Sequence, residues 1–352
     1  MEEIRVGVAG CGSVSEIYLP SLKACPFAEV VAVCDIIEER AEERKREFGV
    51  AQAFSSVGTM LEGSEFDLLV NLTSIPAHFE VNRQALNAGR HVFCEKPFAP
   101  TYDKGKELVN LAQGQGVRIW AAPTTALSPQ FRCMADAIAR GEIGKVHAAH
   151  ACYGHGGPSW GPWFYKKGGG CLGDLAVYNL TTLTGLLGPA KGVLALLGAA
   201  VRERVVEDER IQVAAEDNAM LLLDHGGAVF SHIQTGFVYG SQNGDRTVEL
   251  IGTEGALNLL GWDWGPRGVE VLGLDGKKVE TRCQDDRGYK WQSGAARMAE
   301  FLATGNGTPM DVEHALHVVD VLAAAHESAS TGRRVPTQST FQWPKSFLQP
   351  SG

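Results

Sequence analysis

Residues 4–15 read Ile4-Arg5-Val6-Gly7-Val8-Ala9-Gly10-Cys11-Gly12-Ser13-Val14-Ser15, and the fold turns on how this stretch is read. From Ile4 to Ala9 every position except Arg5 is apolar or glycine, the pattern of a strand covered on both faces. Glycine and serine then end the strand, and Ser15 to Ala24 suits a helix in spite of Pro20. Gly10 to Ser15 fits G-x-G-x-x-G with serine in the last place. Gly10 permits a sharp turn, Gly12 lets the main chain approach a pyrophosphate, and the helix N-terminus adds partial positive charge. The third position sets how closely helix meets strand, and serine is the next smallest compromise.

Outward from this turn, Val30 to Cys34 is a second buried strand that ends at Asp35, 23 residues beyond Gly12. That is close to the spacing of a carboxylate that accepts from the adenosine ribose hydroxyls. Its charge would repel a 2′-phosphate, which favours NAD; Arg40 and Arg44 leave NADP open. The plainer role for Asp35 is to cap the charged helix Glu38 to Phe48. Further strands at Phe66–Leu72, His91–Cys94 and Val117–Ala121 alternate with helices at Pro76–Ala88 and Asp103–Gln113. This alternation predicts a parallel sheet covered on both faces, an N-terminal Rossmann dinucleotide-binding domain over residues 1–122. Cofactor contacts are expected from Gly10, Cys11, Gly12, Ser13, Val14, Ser15, Asp35 and Arg40, and from Thr73 and Pro76 beyond a strand end. His78 either touches the cofactor or caps the next helix.

After Pro123 the pattern changes. A helix at Pro129–Arg140, a strand at Val146–Tyr153 and a helix at Asp174–Leu187 precede strands at Val193–Leu197, Gln212–Leu223, Ala228–Gln234, Thr247–Ile251, Ala256–Leu260 and Val269–Leu272. Gaps too short for helices and partial period-two alternation predict an α+β domain with a large open, mostly antiparallel sheet over residues 123–335. Helices at Gly294–Ala303 and Asp311–Ala329 close it, and residues 336–352 form an irregular tail. The open face either meets water or carries a homodimer or homotetramer contact.

Glu95-Lys96-Pro97 follows directly on a strand, and proline restrains the residue before it. Lys96 there can stabilise negative charge developing on a substrate, with Glu95 orienting it or bonding the cofactor ribose; an everyday surface turn is the alternative. In the second domain Gly168-Gly169-Gly170 precedes a helix on which Asp174 and Tyr178 stand four apart. A phenol near an ammonium can exchange protons, and a carboxylate beside it can hold the geometry. A plain helix-start residue and a core aromatic are the plainer readings. Three glycines would let this loop pass close to a ligand. Tyr153, His155, Trp160, Trp163 and Phe164 are candidates for stacking on a sugar ring, or they roof a core.

Val6 to Ser15, Asp35, Glu95-Lys96-Pro97 and the block Gly168 to Tyr178, in this order and spacing, resemble the oxidoreductase family that includes glucose-fructose oxidoreductase and inositol dehydrogenase. The resemblance implies a nicotinamide-binding domain followed by an open-sheet domain that shapes the substrate site and often mediates oligomers. It also implies that Lys96 and Asp174 are active-site residues. Many members have histidine at the place of Tyr178; tyrosine there resembles the glucose-fructose oxidoreductase and dihydrodiol dehydrogenase branch, where it is the proposed proton-transfer group. Asn179 stands where many relatives carry an acid. The expected function is hydride transfer between a nicotinamide and a sugar, polyol or glycoside. An NAD-assisted lyase or glycosidase and a noncatalytic NAD-responsive binder are the alternatives.

Composition narrows the partners. The 352 residues are 44% hydrophobic, enough for two cores. A formal charge of −9 spread along the chain disfavours nucleic acid. The acidic opening Met1-Glu2-Glu3 is unlike a secretory leader, and no long uncharged apolar run suggests a membrane span. Eight cysteines without pairing rhythm point to a reducing, cytoplasmic setting. His147, His150, His225 and His232 lack the neighbours of a metal set, so no metal is expected.

Overall fold

The computed structural model describes residues 3–240, 244–274, 279–306 and 311–343; Met1-Glu2 and the tail beyond Trp343 lie outside them. Contacts divide the chain into two units, one of residues up to Thr124 with Gln292–Leu316, the other of Thr125–Trp291 with the chain from His317 on.

In the first unit, strands β1 (Ile4–Ala9), β2 (Ala28–Cys34), β3 (Gln52–Phe54), β4 (Leu68–Asn71), β5 (His91–Cys94) and β6 (Ile119–Ala121) form a sheet of order β3-β2-β1-β4-β5-β6. Every pairing is parallel. Val6, Val8, Leu68, Leu69, Val92 and Phe93 have no exposed surface, which is why these strands carry apolar runs instead of alternation. Helices α1 (Ser15–Lys23), α2 (Glu38–Phe48), α3 (Val57–Gly63), α4 (His78–Asn87) and α5 (Tyr102–Gly114) make the crossovers. One more helix, Gly294–Thr304, packs on α1 and on β1, β2 and β5. The sequence division had placed it in the second domain. Gly294, Ala295, Met298 and Ala299 form its buried stripe, in which the glycine and the two alanines let it lie close on the sheet.

The second unit contains α6 (Pro129–Ala139), β7 (Val146–Gly154), α7 (Val177–Leu187), β8 (Gly192–Gly198), β9 (Glu203–Val206), β10 (Glu209–Gln212), β11 (Asn218–Gly226), β12 (Val229–Gly236), β13 (Val248–Gly252), β14 (Gly255–Trp262), β15 (Gly265–Gly273) and β16 (Val279–Arg282). After α8, the Gly294–Thr304 helix, come α9 (Val312–Thr331), mostly in this unit, and β17 (Val335–Pro336). The sheet runs β16-β15-β14-β13-β7-β12-β11-β8-β17 and is antiparallel except between β7 and β12. Leu221, Leu223, Ile233, Val248, Leu250 and Leu257 point into the core from its inner face.

One expected strand is corrected here, and one hairpin is added to the sequence reading. Gln212–Leu223 is not one strand: Ala214 and Ala215 donate to Tyr165 O, and Asp217 turns to accept from the Ala200 and Val201 amides, which breaks the ladder before β11. The hairpin β9–β10 is hidden in an acidic, arginine-rich stretch and turns on Glu207 and Asp208, both at positive φ as a tight hairpin turn demands. Past Pro336 the described residues are irregular and stay packed on the second unit. Val335 and Pro336 pair with β8, Phe341 is buried on His317, and Trp343 Nε1 donates to Gly185 O.

Candidate active site

The carboxyl ends of β1, β2, β4 and β5 share one edge of the parallel sheet, the edge at which such sheets bind ligands. At the end of β1, Gly10 has φ +95°, and a Cβ there would lie 2.6 Å from the Leu72 carbonyl, so only glycine fits. A Cβ on Gly12 would meet nothing within 4 Å and would project into open space above the turn. Ser15 is fully buried; its hydroxyl donates to Gly12 O (2.5 Å) and accepts from Arg44 Nε (3.3 Å), filling the place of the third glycine with a brace. Cys11 contributes main chain only. Its thiol is turned toward Cys34 O, and burial, reinforced by Asp35, pushes it up to about 12.

Asp35 is held on both oxygens, by the Cys11 amide (2.8 Å) and the Ile37 amide (2.8 Å), which fixes the carboxylate beside the glycine turn. Each oxygen keeps a second lone pair, so the group can still accept from ribose hydroxyls. The open space over Gly12, the helix start at Ser15 and this braced acceptor fit a dinucleotide.

At the end of β4, Asn71 is fully buried and accepts from both the amide and the hydroxyl of Thr73, while donating to Asn82 Oδ1 (2.8 Å). Pro76 is exposed on a short turn. His78 is buried, with Nδ1 on Pro97 O (2.8 Å) and Nε2 on Thr73 O (2.9 Å). Its ring therefore faces inward and ties the Thr73 loop to the segment that bears Lys96. Burial draws its pKa below the ordinary imidazole value. Glu95 accepts from Tyr18 Oη (2.5 Å) and from the Lys96 amide (3.0 Å), so it orients the lysine's backbone.

In the second unit the helix carrying the acid and the phenol starts with a π-turn, Leu172–Ala176, that contains Asp174; α7 begins at Val177 and Tyr178 lies in its first turn. Both side chains are half-buried. Gly169 and Gly170 before it pack on protein. A Cβ on Gly169 would strike the Trp163 and Phe164 carbonyls, and one on Gly170, at φ +102°, would fall 2.0 Å from the Glu216 carboxylate. Glu216 Oε1 accepts from the Leu172 amide (3.1 Å) and so caps the helix start.

The aromatic residues divide in two. Tyr153 has Tyr178 (6.1 Å), His155 (6.1 Å), Trp262 (4.9 Å) and Trp264 (6.4 Å) around its ring. Phe164, by contrast, is 7% exposed, stacked by Trp163 and packed against Phe237, which makes it a core residue behind that wall. Trp160 is half exposed and meets only the edge of Phe164 among these rings. Among the described residues no group of histidine, cysteine or acidic side chains could hold a metal ion, and no helix is long and apolar enough to cross a membrane.

Two family models match, one described as an oxidoreductase family with an NAD-binding Rossmann fold over residues 4–122, the other as the GFO/IDH/MocA C-terminal domain over residues 131–258. The chain belongs to the GFO/IDH/MocA oxidoreductase family. Similar proteins include the 1,5-anhydro-D-fructose reductase of Ensifer adhaerens, 28% identical over 72% of this chain and 74% of that one. The D-apiose dehydrogenase of Paraburkholderia graminis is 24% identical over 96% of this chain and 91% of its own. In fold, the chain matches a levoglucosan dehydrogenase solved with NADH and levoglucosan, with a TM-score of 0.84, 19% identity and coverage of 96% and 100%.

Two supporting residues escape the sequence reading, Asn82 and Glu216, because no local pattern names the partner of either.

Proposed function

We propose that this oxidoreductase transfers a hydride between a nicotinamide and a hydroxyl or carbonyl carbon of a sugar, polyol or glycoside. The observation that carries the reading is the convergence of the glycine turn, Asp35, Thr73 and Lys96 on one sheet edge, in a chain two of whose relatives are named for sugar substrates. NAD, when bound, supplies the ring carbon that exchanges the hydride. Gly10 to Ser15 hold its pyrophosphate, Asp35 its adenosine ribose, and Thr73, Pro76 and Glu95 line the path toward Lys96. Lys96 stabilises negative charge developing on the substrate oxygen. Tyr178 exchanges the hydroxyl proton and Asp174 orients it. Tyr153 and His155 form the sugar-facing wall, flanked by Trp160 and Trp163.

NAD is the preferred form. Asp35 opposes a 2′-phosphate, and the next residues, Ile36 (90% exposed) and Ile37, offer no cation. Arg44 is paired with Glu16 and Glu47, while Arg40 stays exposed. The thiol usage supports a cytoplasmic protein, and the apolar outer face of the second unit's sheet supports a homo-oligomer.

The test is a rate panel: myo-inositol, D-glucose, levoglucosan and D-apiose oxidised with NAD, and 1,5-anhydro-D-fructose reduced with NADH. Lys96→Ala and Tyr178→Phe are each expected to lower kcat by about 10²–10⁴-fold at saturating cofactor. NADP is expected to be poorer than NAD by more than about tenfold in kcat/KM. Unchanged turnover in Lys96→Ala would remove the lysine from the mechanism.

A further inference from the structure

The turn Trp262-Asp263-Trp264 between β14 and β15 has no part in the mechanism above, yet it reaches the phenol from two sides. We propose that Asp263 is a positioning residue for Tyr178, acting through helix α7, and that Trp262 supports the same phenol through the ring of Tyr153. The proposal rests on the reading that Tyr178 exchanges the substrate proton.

Asp263 is 2% exposed, and its Oδ2 accepts from Asn179 Nδ2 (2.9 Å) and Thr182 Oγ1 (3.1 Å). Asn179 and Thr182 are three residues apart on one face of α7 and both are buried. Tyr178, next to Asn179 in sequence, is turned by about 100° from it around the helix axis. A carboxylate that grips residues 179 and 182 therefore fixes the rotation of the first turn, and with it the direction in which the phenol leaves the helix.

The second support comes from the neighbouring residue. Trp262 pairs with Gly265 across the hairpin, which makes Asp263-Trp264 the two-residue turn. The Trp262 indole is backed by Gly244, where an added Cβ would lie 3.0 Å from it. It also leans on Tyr153, whose ring meets Tyr178 edge-on at 76°.

The pair Asn179–Asp263 is not built for stability. Both residues keep a buried oxygen without a partner, Asn179 Oδ1 and Asp263 Oδ1, and burial pushes the Asp263 carboxyl up to about 6. Leaving two buried acceptors unmet is destabilising, and an apolar pair of the same shape would serve a plain core better. What the arrangement supplies is a directional hold on α7.

Two measurements test it. The first needs no sugar: phenolate absorbance is titrated in the wild type and in Tyr178→Phe, and the difference isolates Tyr178. Asp263→Ala is expected to move that midpoint by about half a pH unit or more. Asp263→Asn is expected to leave it in place, since its carbonyl can take the place of Oδ2 and accept from both donors. The second is a kinetic cycle on the fastest sugar of the panel. Asp263→Ala is expected to lower kcat by about ten- to hundredfold with the KM for NAD unchanged. The loss should disappear in a Tyr178→Phe background, because both changes remove the same function.

A midpoint and kcat that Asp263→Ala leaves unchanged would overturn the proposal, as would an equal loss in the Tyr178→Phe background, which is the mark of a merely structural role. If Asp263→Ala does not fold, the exchange decides: Asn179→Asp alone should lower kcat, and adding Asp263→Asn should restore it. Failure to restore overturns the proposal. If Tyr178→Phe itself keeps full kcat, the role given to Tyr178 fails first. If Tyr178→Phe is impaired and Asp263→Ala is not, only the positioning role fails.

Discussion

His317 shows how much a single side chain's meaning depends on its neighbours. The Ala190 amide can only donate, so Nε2 is an acceptor, and Nδ1–H donates to Ser339 Oγ, whose own proton goes to Asp320. This chain is satisfied only while the imidazole is neutral. Burial pushes its pKa down to about 4, well below the unfolded value near 6.5. Between those two values the unfolded chain binds the proton and the folded one does not, so stability is complete above about pH 6.5 and is lost as the pH falls toward 4. From pH 7 to pH 5 the loss from this residue is about 2 kcal/mol. Urea unfolding at the two pH values should show a difference smaller by about that amount in His317→Gln, and an identical difference in both proteins would contradict the buried neutral assignment. His225 and His78 are depressed by burial as well and add in the same direction.

The helix that carries Tyr178 depends on residues far from it in sequence. Gly170 must be glycine because φ is +102° and because the Glu216 carboxylate occupies the space a Cβ would take, while that same carboxylate caps Leu172. Gly170→Ala is therefore expected to destabilise the second unit by about 1–3 kcal/mol from backbone strain alone. Displacing Glu216 adds to this, and kcat should fall with it, since Asp174 sits in the turn being capped. A thermal melt alongside the rate panel checks both; a variant as stable as the wild type would show that the turn has room the geometry denies. This element also marks what can be read without a structure. Strand, turn, helix and strand from Ile4 to Cys34 are legible because local sterics and burial act on neighbouring residues. The helix after Gly170 is legible in outline from the same cues. Its π-turn, the Glu216 cap and the Asp263 anchor are not: the cap and the anchor join residues about 40 and 80 apart that no local pattern connects, and the π-turn departs from the regular helix that the local cues suggest. Of the glycines that look like ligand clearance, Gly170 clears the protein's own Glu216 carboxylate and Gly169 the carbonyls of Trp163 and Phe164.

At the scale of the molecule, the second unit's sheet has one face filled by helices and another that is apolar where it should be polar. On β8, β11 and β12 the outward residues include Leu194 (40% exposed), Leu196 (73%), Met220 (39%), Leu222 (50%) and Phe230 (57%), with Asn218, His232 and Gln234 among them. The register lines them up in rows: Leu194 beside Leu222 and then His232 and His150, Leu196 beside Met220 and then Gln234. Period-two alternation should have put charge there had water been the intended neighbour, and a contiguous patch of this kind is the signature of a contact surface. A second copy of the same chain is the partner that suits it, because a face of this kind can pair with itself around a twofold axis. The wild type is therefore expected to sediment at twice or four times the monomer mass at micromolar concentration. Leu196→Glu with Leu222→Lys, set on exposed positions that no buried core needs, should yield monomers with unchanged circular dichroism. A wild-type protein that sediments at 37.8 kDa would mean that this face stays open to water, and the contact would have to be abandoned.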